Sequence, residues 1–273
     1  MAIRIVTDST AALSREFADK HGIEIVPLTI RFSDWEYREG FSEEHGDFYQ
    51  KLQSSAEFPK TSQPSPEDFA QVFKRLTAAG DEVVCVTLAS SLSGTHASAQ
   101  LAAQGMENIS VVDTGTTCSC AQFVIEEILS GIAEGQSRAQ VVARAEQAKQ
   151  KQSLIFMPES LEYLKRGGRM SHLQVSIASV LRIKPVFLFR NGVLRVAKKA
   201  MGINMAINEI ISLLPKNIKK IAALCIGSSV HLETLLQKLR EKLGDITLST
   251  VSISPVVGVH VGPGAIGLAC MEE

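Results

Sequence analysis

Residues 82–89 read "EVVCVTLA". An apolar stretch with so little alternation does not suit a strand with one wet face; it calls for a strand covered on both sides. Its neighbours offer that cover. "SPEDFAQVFKRLTAAG" (65–80) has Ser65 at a cap position, Pro66 at the first helical position, acids in the first turn and Gly80 to end it. "SGTHASAQLAAQG" (93–105) reads as a second helix. The same rhythm surrounds this unit. "IRIV" (3–6) is a short strand, Ser14 caps a helix to about His21, and "IEIVPLTI" (23–30) is the next strand. "ISVVDT" (109–114) is another, followed by helices over 118–133 and 138–151. The spacing predicts a Rossmann-like, three-layer α/β domain: a parallel sheet with helices on both faces.

The second half changes character. "SLIFMP" (153–158) is a strand, and "SLEYLKRGGRMS" (160–171) leads into a helix-like run over 175–181. "IKPVFLFRNGVLRVA" (183–197) is a hairpin turning at Asn191–Gly192. A helix over 202–214 stops at Pro215; strand 219–226, helix 229–243 and strand 246–253 follow. "PVVGVHVGPGAIGLAC" (255–270) reads as two apolar strands about a glycine-rich turn. Mixed strand directions fit better than continued parallel topology. The expected organisation is an N-terminal parallel domain, residues 1–155, and a C-terminal α/β domain with a mixed sheet, residues 156–273.

Bulk composition removes several function classes. The 273 residues carry a net charge of −1, so no global field draws in nucleic acid. Lys216, Lys219 and Lys220 form a small basic cluster without interleaved aromatics and read as a solvated face. The five cysteines give no disulfide framework, and the Cys118-x-Cys120 pair lacks a second pair for zinc. A cytoplasmic protein is expected. No uninterrupted apolar run reaches about 18 residues, so no stable membrane insertion is expected.

Hydroxyls concentrate in three loops: "TDST" (7–10), "KTSQPSP" (60–66) and "SSLSGT" (90–95). Loops at the carboxyl edge of a parallel sheet are the usual place for a ligand, and helix N-termini with hydroxyls suit anions. Ordinary caps and turns would use the same residues. "GVHVGPG" (258–264) adds His260, either a structural histidine or a ligand contact. "KRGGR" (165–169) is either a helix end with favourable cations or an anion or partner contact. A nucleophilic serine with a histidine base is the sharper alternative for "SSLSGTH", but the stretch is not G-x-S-x-G. No G-x-x-x-x-G-K-[ST] occurs; the one G-x-G-x-x-G, Gly262–Gly267, leads into an apolar strand rather than opening a helix and so gives no support to a dinucleotide site, and Asp8 is the one acid in these loops. The serines read as a cradle for a small acidic group, with no cofactor and no metal implied.

Taken together, "VTDSTAALS" (6–14), "VPLTIRF" (26–32), "TSQPSP" (61–66), "SSLSGTHASA" (90–99), "SLEYLKRGGRMS" (160–171), "IKPV" (183–186) and "GVHVGPGAIG" (258–267) resemble the DegV family over essentially the whole chain. The resemblance implies a two-domain α/β protein that holds one long-chain fatty acid between its domains. It also implies presentation of that acid to a separate fatty acid kinase, which makes acyl phosphate for phospholipid synthesis, with no chemistry done by the binding protein. It places the carboxylate contacts at Thr61, Ser93 and His260. Ser62, Gly94 and Thr95 join them as candidate ligand contacts, and Arg166 and Arg169 as candidate partner contacts. Two positions depart from the family pattern. Met201 stands where an arginine is usual after the hairpin, so kinase docking is expected to be weaker or differently wired. "GTTCSCAQ" (115–122) replaces a serine- and glycine-rich loop, which alters the expected channel. The alternatives to a carrier are an acyl hydrolase or transferase using Ser93 with His260, and a non-catalytic lipid sensor.

Overall fold

The computed structural model describes residues 2–46, 48–55, 57–168, 183–227, 229–244 and 249–273. The chain opens with β1 (Ile3–Asp8), α1 (Arg15–His21) and β2 (Glu24–Val26), and Ser14 Oγ caps α1 by accepting from Phe17 N at 3.1 Å. The expected single strand over 23–30 is split at Pro27. Proline offers no N–H to a ladder, and Leu28 N turns aside to Ser9 Oγ at 3.0 Å. The chain then enters a different sheet. β3 (Thr29–Arg31) pairs antiparallel with both β4 (Glu36–Arg38) and β5 (Lys60–Ser62), and α2 (Phe48–Ser54) lies between the last two in sequence. This small three-stranded sheet was not foreseen, and it puts Thr61 and Ser62 on a strand rather than in a loop.

The parallel domain then forms as expected. α3 (Pro66–Ala78), β6 (Glu82–Thr87), α4 (Thr95–Ala102) and β7 (Ile109–Asp113) follow, then α5 (Cys118–Ala133) and α6 (Arg138–Gln150). The sheet order is β2-β1-β6-β7, with every pairing parallel. The apolar run of β6 is used on both faces. Val83 and Cys85 pack with Phe69, Phe73 and Ala99, whereas Val84 and Val86 pack with Val124, Ile128 and Ala145.

The remaining elements are β8 (Gln152–Met157), α7 (Glu162–Arg166), β9 (Ile183–Arg190), β10 (Val193–Met201), α8 (Ile203–Ser212), β11 (Ile218–Cys225), α9 (Leu232–Leu243), β12 (Ser249–Ser252), α10 (Pro255–Val261) and β13 (Ile266–Glu272). Their sheet runs β10-β9-β8-β13-β11-β12 and is mixed: β11 and β12 are parallel and the other pairs antiparallel. All of β8 belongs to this sheet, so residues 155 and 156 lie within one strand and the chain changes sheets at Lys151. Asn191 (φ 51°) and Gly192 (φ 75°) make the hairpin turn with both residues left-handed, as the Asn-Gly pair requires.

Alternation along β8 separates two cores. Ile155 and Met157 face α8 and α9 with Ile207, Ile210 and Leu235. Leu154 and Phe156 face the other way and share one cluster with Val84, Val86 and the buried side of α5. α5 therefore packs between the sheets. Its Glu127 binds Lys219 at 2.7 Å and Lys220 at 3.1 Å, so two members of the expected solvated lysine cluster are tied across to the first domain.

One expectation is overturned at the C-terminus. Residues 255–261 are a helix, α10, not a strand. Ser254 Oγ accepts from Val257 N at 3.4 Å, Pro255 takes the first helical position and Gly262 (φ 92°) ends it. The valines suggested a strand, but the Ser-Pro start and glycine stop decide the local conformation. The helix-like run over 175–181 lies outside the described residues.

Candidate functional site

A cavity of about 300 Å3 lies between the two sheets. Volumes of about 300–1,000 Å3 are usual for small-molecule sites. Leu154 and Phe156 of β8, Phe189 of β9 and Leu194 of β10 supply one wall; Leu28, Leu88 and Leu92 line the first domain's side, and α10 adds Val256, Val257 and His260. The lining is apolar except at one end and at Thr117.

Thr61, Ser62, Gln63, Ser93, Gly94 and His260 form that polar end. His260 Nε2 lies 2.8 Å from Thr61 Oγ1. Ser93 Oγ lies 2.9 Å from Thr95 Oγ1 and accepts from Thr95 N at 3.3 Å. Thr95 is fully buried and lies behind the lining, so its place is to hold Ser93 rather than to meet a ligand. Gly94 is the N-cap of α4, without a side-chain cap. A Cβ there would stand 2.3 Å from Gln63 Oε1, so the glycine is what lets Gln63 cross the loop and donate to Ser98 Oγ at 2.9 Å. Gly167, just after α7, plays the same part at His260: a Cβ would stand 2.4 Å from Nδ1.

Neither His96, in the first turn of α4, nor His260, in the last turn of α10, bonds Ser93. His260 is engaged with Thr61, and His96 Nδ1 lies 3.0 Å from Thr87 Oγ1, with burial pushing its pKa down. The nucleophile-and-base pairing considered from sequence is therefore not assembled in this structure. The arrangement offers hydroxyl donors and an imidazole to an anionic head, beside apolar walls for a tail.

Arg166 is exposed at the end of α7, with its guanidinium carbon 4.6 Å from the centroid of the Phe58 ring. Arg169 lies outside the described residues. Met201 is 72% exposed at the end of β10. Cys118 lines the cavity; its φ is 56°, and burial pushes its thiol up to about 12, so it stays protonated. No group of three or more His, Cys, Asp or Glu side chains suited to a metal occurs among the described residues, and no helix among them is long and apolar enough to cross a membrane.

Two buried acids stand behind the cavity without lining it. Asp8 accepts from Thr10 Oγ1 (2.6 Å), Thr10 N (3.0 Å) and Leu88 N (2.7 Å), tying the end of β1 to the end of β6. Burial pushes its pKa up against those three bonds. Glu39, after β4, accepts from Ser9 Oγ at 2.6 Å and from Val256 N at 2.8 Å, with burial pushing it up to about 7. Nothing in "EYREG" (36–40) signals a buried acid. Tyr49 was missed as well: it packs on Gly258 and donates to Ile253 O at 2.5 Å, fixing α10 from the side.

Comparison with known proteins agrees with this architecture. The model of the family described as "Uncharacterised protein, DegV family" matches residues 2–273. A DegV domain-containing protein of Halalkalibacterium halodurans is 32% identical, covering 99% of each chain. A DegV family protein from Thermus thermophilus, solved as a fatty-acid-binding protein, is 32% identical with a TM-score of 0.87 over 100% of both chains. A stearic-acid-binding protein from Eubacterium ventriosum is 28% identical with a TM-score of 0.88, over 100% of this chain and 98% of that one. By sequence over its whole length and by the fold of both domains, this chain belongs to the DegV family.

Proposed function

We propose that the protein binds one long-chain fatty acid between its domains and presents it to a separate fatty acid kinase for acyl-phosphate formation. The observation that carries this reading is the Thr61–His260 pair, with Ser93, at the polar end of a cavity otherwise walled by leucine, valine and phenylalanine. Thr61, Ser93 and His260 hold the carboxylate. Ser62 and Gly94 flank it, and the tail runs along Leu154, Phe156 and Phe189.

The energetics suit a carrier. A chain of about 16 carbons brings roughly 14 methylenes at about 0.8 kcal/mol each, about 11 kcal/mol gross. Ordering and association consume a large part of that. The tail supplies affinity, and the hydroxyls and imidazole set which end faces the mouth. In this reading Ser93 donates a hydrogen bond and attacks nothing. Its hydroxyl is paired with Thr95 rather than with a base, which favours binding over hydrolysis. Five free, buried cysteines suit a reducing cytoplasm.

The test is reconstitution. Delipidated protein reloaded with palmitate and mixed with a bacterial fatty acid kinase and ATP should yield palmitoyl phosphate. Release of acid from acyl esters by the protein alone, lost in Ser93→Ala, would replace this reading with the hydrolase.

A further inference from the structure

Glu39 does not line the cavity, yet it is built into the cavity's wall. Its side chain is 1% exposed. One carboxyl oxygen accepts from Val256 N, in the first turn of α10, and the other from Ser9 Oγ, which also accepts from Leu28 N. Val256 and Leu28 both line the cavity, so the carboxyl sits one residue layer behind the apolar surface. His260 is four residues beyond Val256 on the same helix, about 6 Å along its axis.

The groups that face Glu39 are themselves acids: Asp8 at the end of β1, Tyr37 on β4, Tyr49 on α2 and Cys118 at the start of α5. Burial pushes each of them up, Tyr37 and Cys118 to about 12, so they add no positive charge. Arg4 lines the same shallow cleft as Glu39, together with Asp19 and Glu24. Its guanidinium is engaged elsewhere, 3.8 Å from Asp81 and 3.2 Å from Gly22 O. Among the described residues no cation bonds Glu39. What favours its ionised form is the Ser9 hydroxyl, the backbone N–H of Val256 at the start of α10 and the Ser254 hydroxyl just before it.

We propose that Glu39 makes acid binding pH-dependent, because an ionised Glu39 and a carboxylate at Thr61, Ser93 and His260 are two negative charges at the two ends of one short helix in a low-dielectric wall. The proposal rests on the reading that the cavity holds a fatty acid. A bound acid raises the cost of ionising Glu39, both by its charge and by excluding water from the wall, so binding draws a proton onto Glu39. By linkage the converse holds, and affinity falls as Glu39 loses its proton. Since burial already holds Glu39 near 7, the fall occurs across neutrality. His260 meets the same carboxylate in this reading, so the Glu39 contribution is isolated by comparing a variant with wild type rather than read from wild type alone.

The experiment titrates palmitate into delipidated wild type and Glu39→Gln between pH 6.0 and 8.5, with calorimetry in two buffers of different ionisation heat at pH 7. Wild type is expected to take up protons on binding. The affinity of Glu39→Gln relative to wild type is expected to rise three- to tenfold between pH 6.0 and 8.5. A ratio that stays constant across that range, as a purely structural role would give, overturns the proposal. Wild type that binds no palmitate at any pH overturns both this proposal and the fatty-acid reading beneath it; binding with a flat ratio overturns this one alone. If Glu39→Gln does not fold, carbon NMR of the Glu39 carboxyl in wild type decides. Its midpoint must move up when palmitate is bound, and an unmoved or lowered midpoint overturns the coupling.

Discussion

His260 Nε2 and Thr61 Oγ1 meet at 2.8 Å across 199 residues of sequence. Thr61 comes from an edge strand of the small sheet, His260 from the last turn of α10. The pair exists only when the N-terminal region and the C-terminal helix are docked, and it closes the polar end of a cavity to which both domains contribute. In the proposed reading, head-group recognition is thereby made conditional on a complete fold.

Removing a head-group donor should weaken the bound acid without emptying the cavity. Ser93→Ala and Thr61→Val are each expected to cost about 1.5–3 kcal/mol of palmitate affinity, the scale of a hydrogen bond to a charged group. Competition with a fluorescent fatty acid measures this. Fluorophosphonate probes should leave wild-type Ser93 unlabelled; stoichiometric labelling there would contradict a purely binding role.

Gly258→Ala tests how α10 is seated. The new Cβ would stand 2.5 Å from Tyr49 Cε1, and Tyr49 is itself fixed to Ile253 O. Overpacking of this kind costs about 1–3 kcal/mol. Thermal unfolding should show that loss, and Tyr49→Ala should relieve the clash even though it creates a cavity of its own. Equal stability of Gly258→Ala and wild type would show that α10 is not clamped as described.

Two buried glutamates should give opposite pH signatures in stability. Glu39 is raised from an ordinary carboxyl value to about 7 by burial, so its neutral form favours the fold. That contribution is complete below about 4.5 and is lost as pH rises through about 7; at most about 3 kcal/mol is involved. Glu127 is different. Burial works against its charge, but bonds from Lys219 and Lys220 prevail and hold it down to about 2. Its contribution is present above about 4.5 and is lost as pH falls toward 2, about 1–3 kcal/mol after allowing for the exposed end of Lys219. Urea unfolding of wild type, Glu39→Gln and Glu127→Gln at pH 3, pH 5 and pH 8 separates them. Glu39→Gln should gain on wild type between pH 5 and pH 8, whereas the deficit of Glu127→Gln should be the same at pH 5 and pH 8 and shrink at pH 3.

Docking to the kinase is the reading's outermost link. Met201 is 72% exposed where the family pattern has an arginine, and Arg166 presents its guanidinium over Phe58. Rim charges act mainly on encounter rate and its salt dependence. Met201→Arg should raise the rate of acyl-phosphate formation and steepen its decline with salt. Arg166→Ala should lower the rate with lipid still bound. Identical rates and salt responses in all three proteins would remove this surface from the docking site.

What could be read from sequence follows from how local its causes are. The apolar run of β6, the Ser65-Pro66 start of α3 and the Asn191-Gly192 turn act over a few residues, and each formed as expected. Pro27 and Ser254-Pro255 were equally local signals, but surrounding valines and isoleucines outweighed them in the reading, which missed a sheet change and a helix. The motif residues Thr61, Ser93 and His260 stand together in the cavity. Thr95 does not reach it, because which hydroxyl of "SLSGT" faces inward depends on the angle at which α4 begins. Glu39 and Tyr49 left no trace in sequence, since their roles come from burial beneath α10, more than 200 residues away.

The most direct measurement is mass spectrometry of the intact protein under native conditions, followed by organic extraction and identification of what it carried. The account predicts a near-stoichiometric mass addition that extraction resolves into long-chain fatty acids, and loss of that addition on delipidation with the fold retained. Protein recovered from several expression hosts with no acyl chain, and unable to take up palmitate afterwards, would contradict it.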